Sequence, residues 1–119
     1  MIALIAGHKT SEVRTVRDLL TRLGIERIET AAHGTAAIGA LKNTVPDLLV
    51  VDWEIPGEGA EAVVAAARVK DKAPRILITM STPTSASVEA AKALQIDAVV
   101  AAPFSPRAFL ERVPRLARV

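Results

Sequence analysis

Asp52 closes the most apolar run of this 119-residue chain, LLVV at 48–51. A carboxylate at such a strand end is either a cap satisfied by nearby amides or a reactive group facing the crevice. Thr79 ends the next apolar run, ILI at 76–78. Its hydroxyl reads either as part of a β-branched strand-former or as a donor to an anion held on the neighbouring strand. His8 follows the first run, IALIA at 2–6, after Gly7. An imidazolium opposite Asp52 would make an ion pair. A neutral imidazole would share a His/Asp site with it for Zn, Ni or Cu, although two ligands are too few to define one. The third reading of His8 is a loop residue that fills space. His33 precedes Gly34 at a helix start and reads as a turn residue, and no spacing supports a Ser-His-Asp arrangement. Trp53 reads as a half-buried wedge under its loop, and Glu54 as a solvated loop glutamate. The Gly57–Gly59 stretch lacks the glycine pattern that cradles nucleotide phosphates.

The elements that would carry these residues alternate in type. Apolar runs at 2–6, 26–31, 47–52, 75–79 and 98–102 read as strands. Between them, Thr10 and Ser11 are candidate N-caps for a helix with Val13, Val16, Leu20 and Leu23 on one stripe, stopped by Gly24. Further helices are expected at about 35–43, 59–70 and 85–94, with a last one after Ser105-Pro106 carrying Phe109 and Val113. Pro114 should break or kink that helix. Strands apolar on both faces belong to a parallel sheet covered by helices on each side. Five βα units in this length predict an α/β fold: a three-layer, doubly wound five-stranded parallel sheet of flavodoxin-like type, strand order 2-1-3-4-5, forming one domain over residues 1–119. A TIM barrel needs about 250 residues. Function in such sheets lies at the carboxyl ends of the strands. Here those ends are Gly7-His8, Ala32-His33, Asp52, Thr79 and Ala102-Pro103.

Composition removes several function classes. Half the residues are hydrophobic and 24% charged, as in a folding chain. The absence of cysteine excludes disulfides, thiolate zinc sites and a cysteine nucleophile. Fifteen Lys and Arg against 13 Asp and Glu give +2, and residues 105–119 alone carry +3 (four Arg against Glu111), which leaves −1 elsewhere. A general nucleic-acid surface is not supported. The apolar runs fall short of the roughly 20 residues of a membrane span, and no signal peptide is legible. The expected setting is cytoplasmic, without membrane or nucleic-acid partners. With Trp53, Phe104 and Phe109 as its only aromatics, the chain has little with which to sandwich a flavin or stack bases.

The order and spacing of DWEIPG at 52–57, ILIT at 76–79, the Ala101–Phe104 tetrad and His33-Gly34 resemble those of a response-regulator receiver domain. The resemblance runs from Met1 to about Val113. It implies a module of two-component phosphorelay signalling and not an enzyme. Asp52 matches the phosphoacceptor, and Thr79 matches the switch hydroxyl that moves toward the acyl phosphate. Phosphoryl transfer of this kind works by positioning and charge neutralisation.

Two departures from the family pattern stand out. Gly7 and His8 replace the acidic pair that, with the phosphoacceptor, holds Mg²⁺. Ala102, before Pro103, replaces the phosphate-binding lysine, while Lys9 is near only in sequence. Asp52 and Glu54, whose position supplies a carbonyl to the family's metal, are what remains of that site. No cofactor is therefore required, and any Mg²⁺ should bind weakly, since it wants several oxygen ligands. Val99 stands where an aromatic switch residue is common. The resemblance thus implies an atypical receiver acting through protein contacts, with phosphorylation of Asp52 weak or absent. Its partners would be a sensor histidine kinase or phosphotransfer protein if Asp52 is active, and a downstream protein on the surface of the fourth helix, fifth strand and last helix. The Ala/Val-rich helices also offer a face for a homodimer, and the basic C-terminal run reads as a solvated face or a dock for an acidic partner. The rival reading is a small α/β ligand-binding protein or enzyme using the same crevice.

Overall fold

The computed structural model describes residues 1–69, 73–101, 107, 109 and 111. Five strands alternate with helices: β1 (Ile2–Ala6), α1 (Thr10–Arg22), β2 (Arg27–Ala31), α2 (Gly34–Asn43), β3 (Leu48–Asp52), α3 (Gly59–Ala67), β4 (Arg75–Met80), α4 (Ser85–Ala93) and β5 (Ala98–Ala101). All pairings are parallel and the order is β2-β1-β3-β4-β5, as the alternation predicts. The expected last helix falls largely outside the described residues. Arg107, Phe109 and Glu111 are helical, and Phe109 is fully buried.

The alternating faces of the central strands build two apolar layers. Leu4, Leu49, Val51, Ile76 and Ile78 point to one side, against Leu41 of α2 and Val63 and Val64 of α3. Ala3, Ile5, Leu48, Val50 and Leu77 point to the other, against Val16, Leu19 and Leu20 of α1 and Phe109. Because both faces are covered, β3 and β4 read in sequence as unbroken apolar runs. The edge strand β2 carries exposed Arg27 and Thr30, which explains its weaker signal.

Two carboxylates complete the amino end of the sheet. Asp47, just before β3, accepts the Ile2 amide at 2.8 Å through Oδ2. Asp97, just before β5, accepts the Ile76 amide at 2.7 Å. Each side chain supplies the partner that a longer neighbouring strand would have given.

Several boundaries differ from the sequence expectation. The first helix begins at Thr10, so Lys9 and not Thr10 or Ser11 is its N-cap, with no side-chain capping bond. The lysine side chain is engaged elsewhere, at the rim of the sheet. His33 caps α2 by accepting the Ala36 amide at Nδ1, 3.1 Å, the turn role its position suggests. The third helix ends at Ala67, short of residue 70.

Candidate functional site

β3 brings Asp52 to the carboxyl rim and the following turn fixes it. The Ile55 amide donates to the Asp52 carbonyl at 3.0 Å, and the Glu54 amide donates to Oδ1 at 3.0 Å. The Trp53 amide continues the ladder to Thr79 O at 2.8 Å, and the indole packs half-buried against the core layer. The start of α2 presses on this turn. Gly34 donates its amide to Pro56 O at 2.8 Å, and a Cβ at Gly34 would lie 2.8 Å from the Glu58 nitrogen. Only glycine allows that approach without displacing backbone.

Asp52 is 6% exposed. Its Oδ2 lies 3.5 Å from His8 Nδ1, the juxtaposition that one sequence reading of His8 offered. Burial pushes the Asp52 carboxyl above its ordinary value. The Glu54 amide and Lys9 pull it back, Glu12 pushes it up further, and His8 lowers it slightly. Thr79 pairs with Asp52 across the β3–β4 register and is equally buried. Its hydroxyl donates to Val51 O at 3.5 Å, a long contact that holds it only loosely.

Gly7 leaves the end of β1 without a side chain, and α1 closes on the gap: a Cβ there would meet Val13 at 3.3 Å and Asp52 Cβ at 3.6 Å. A cavity of about 10 Å³ remains, bounded by Gly7, Lys9, Glu12, Val13, Asp52 and Thr79. That is room for about one water. Ala102 and Pro103, the other expected pocket residues, lie outside the described residues, as does Phe104. Val99 is half-buried in β5.

Three residues at this rim escape a reading by strand ends. Lys9 Nζ donates to Glu54 Oε1 at 3.2 Å and to Ser81 Oγ, and lies 3.8 Å from Glu12 Oε2. Ser81 in turn donates to Glu12 at 2.9 Å, and the Thr82 hydroxyl approaches Glu54 at 3.5 Å. Partial burial pulls the Lys9 ammonium down, but the Glu54 hydrogen bond and the charges of Asp52, Glu12 and Glu54 outweigh it and set it above the ordinary lysine value. Glu54 is held below the usual glutamate value, chiefly by its bond from Lys9. A lysine directly after the first strand end and an acid in the first turn of α1 were the available signals. Only the packing of α1 on the crevice makes them meet.

The Mg²⁺ implied by the resemblance does not match these donors. A hard cation needs several oxygen ligands in octahedral geometry. The strand ends here offer Asp52, a glycine and an imidazole, and the nearby Glu12 and Glu54 carboxylates face an ammonium. Among the described residues no three His, Asp or Glu groups are arranged to hold a metal ion. Among them, too, no helix is long and apolar enough to cross a membrane.

Comparison with known proteins gives a family for the chain and solved structures that share its fold. The model of the response regulator receiver domain matches residues 3–114. The chain is 27% identical to the chemotaxis protein CheY of Pseudomonas aeruginosa over 119 residues, covering 98% of this chain and 95% of that one. It is 28% identical to a CheY homolog of Campylobacter jejuni, covering 95% and 89%. Among solved structures, a putative response regulator from Chloroflexus aurantiacus superposes with a TM-score of 0.89 at 20% identity, covering 99% and 98%. The receiver domain of the putative response regulator NarL from Mycobacterium tuberculosis gives 0.87 at 20% identity, covering 98% and 95%.

Proposed function

The chain belongs to the response regulator receiver domain family, and from that premise we propose that it is an atypical receiver, a single domain over residues 1–119 that signals through protein contacts, with phosphorylation of Asp52 weak or absent. Receiver domains are signalling modules of two-component systems, working with histidine kinases, phosphotransfer proteins and downstream effectors. What is particular to this chain is the state of its phosphoacceptor position.

One observation carries the reading. Asp52 is buried, burial pushes its carboxyl above the ordinary value, and it lines a cavity of about 10 Å³. A phosphoryl group is larger than one water, and Lys9 and Glu12 line the cavity it would enter. The donors that would neutralise the transferred charge are also reduced, since preorganised positive charge is what such a transfer depends on. Thr79, proposed as the vestige of the switch, has its hydroxyl turned to Val51 O.

Output in this reading passes through the surface of α4, β5 and the C-terminal helix, where Val88 and Val99 are half-buried and Lys92 is exposed. The crevice disfavours the alternative of a small-molecule protein, because ligand pockets run to about 300–1,000 Å³.

Intact-mass spectrometry after incubation with acetyl phosphate and Mg²⁺ tests the proposal, with Asp52→Asn and a conventional receiver in parallel. The expected outcome is little or no adduct on the parent chain while the control is labelled. Stoichiometric labelling that disappears in Asp52→Asn would replace this reading with that of a working phosphoacceptor.

A further inference from the structure

Lys9 joins segments that are far apart in the chain at the carboxyl rim of the sheet. It sits between β1 and α1, and its ammonium reaches Glu54 in the β3–α3 turn, Ser81 in the β4–α4 loop and Glu12 on α1. Ser81 closes the ring by donating to Glu12, and Thr82 contacts Glu54 from the same loop. The lysine also sits beside Asp52 closely enough to favour its ionised form. Two carboxylates and a hydroxyl, of Glu54, Glu12 and Ser81, thus converge on one ammonium.

We propose that Lys9 is a resident counter-ion and tether: it takes over the charge balance for which the donors present cannot hold a metal, and it keeps the β4–α4 loop closed on the rim without any bound ligand. This rests on the reading of the crevice given above and extends it to regulation. A receiver switches only if something distinguishes its two states. Here a covalently attached cation already makes the contacts between the crevice and the loop at Ser81-Thr82, so the loop has one favoured position in the unligated chain. The loop runs directly into α4, whose cap Thr84 accepts the Ser87 amide at Oγ1, 3.0 Å, and donates its own amide to Ser87 Oγ at 2.8 Å. The tether therefore fixes the start of the helix that partners would read.

Single exposed ion pairs contribute little. This arrangement differs because the one lysine chain, once ordered, serves two carboxylates and a hydroxyl together, so its side-chain entropy is lost once for three contacts. Its side chain is 33% exposed, which leaves it sensitive to salt.

Hydrogen exchange read by peptide mass spectrometry on Lys9→Met, Lys9→Arg and Ser81→Ala provides the test. Lys9→Met and Ser81→Ala should each speed exchange of the 81–88 segment by about fivefold while β3 amides are unchanged. Lys9→Arg should retain most of the protection. The parent in 1 M KCl should move toward Lys9→Met, since screening there acts over about 3 Å. Protection of 81–88 that is the same in the parent, Lys9→Met and Ser81→Ala overturns the tether. Because no phosphoryl donor is used, this result is independent of whether Asp52 accepts a phosphoryl group. If Lys9→Met proves unfolded, Ser81→Ala alone decides, because it removes one end of the contact and leaves α1 intact.

Discussion

The two ends of one sheet use the same residue type in opposite ways. At the amino end, Asp47 and Asp97 each lie just before a strand, beside the first residues of a neighbouring strand, and each carboxylate accepts a backbone amide, from Ile2 and from Ile76. At the carboxyl end, Asp52 is more deeply buried, receives one amide from its own turn, and faces a histidine, a lysine and a nearby glutamate. A carboxylate at a strand end is thus structural when an unpaired amide aims at it. Its carboxyl is pushed above the ordinary value when burial outweighs the donors available. The contrast sets Asp52, which accepts an amide from its own turn, apart from the carboxylates at the other end, which accept amides from a neighbouring strand.

Substitutions at the two ends should therefore differ in sign. The largest effect is expected at the structural end. Asp47→Ala removes the acceptor for the Ile2 amide and leaves that group part-buried without it, a loss of about 2 kcal/mol in urea unfolding at neutral pH. A neutral result would mean that the amide is served equally well by water, and the contrast between the two ends would collapse.

Asp52→Asn should act the other way, stabilising the fold by on the order of 1 kcal/mol, about 4 °C in Tm. A raised acid contributes stability that is complete below its unfolded value and is lost as pH rises through its folded value. The ionised form is the costly one here, so the advantage of asparagine should appear at neutral pH and close as pH falls toward about 4. Thermal melts across that range measure it. A gap that widens in acid would show that Lys9 and His8 outweigh burial.

The smallest effect is expected at Thr79. Its hydroxyl bond to Val51 O is long, so Thr79→Val, which keeps the β-branched shape, should change stability by about 0.5 kcal/mol or less. A loss above about 1.5 kcal/mol would show a tighter hydroxyl contact than this geometry supplies. It would also bring Thr79 closer to the structural role of Asp47.

Much of the architecture was legible because the physics behind it is local. Alternating two-sided apolar runs at Ile2–Ala6, Leu48–Asp52 and Arg75–Met80 can be stable only in a sheet covered on both faces, and Gly24, with φ of 84°, ends α1 where its position suggested. The helix starts were less legible, because a cap depends on where the preceding side chain goes. Lys9 turned to the rim and left Thr10 inside the helix. The crevice was half legible. Asp52, Thr79, Gly7 and His8 could be named from strand ends, whereas Glu12, Lys9 and Ser81 lie on a helix and two loops, outside that rule.

Sequence alone determined which residues had to be buried and in what order the strands and helices follow, because hydrophobic periodicity is a property of neighbours along the chain. It also determined that the rim of β1 would lack its acidic pair, since a residue type is fixed wherever it is placed. Only the tertiary structure decided how that loss is balanced. The distances from Lys9 to Glu54, 45 positions away, and to Ser81, 72 positions away, depend on how α1 settles over Gly7 and how two loops meet above β3. Electrostatic energy follows distance in space and burial, and neither is written in the order of the residues.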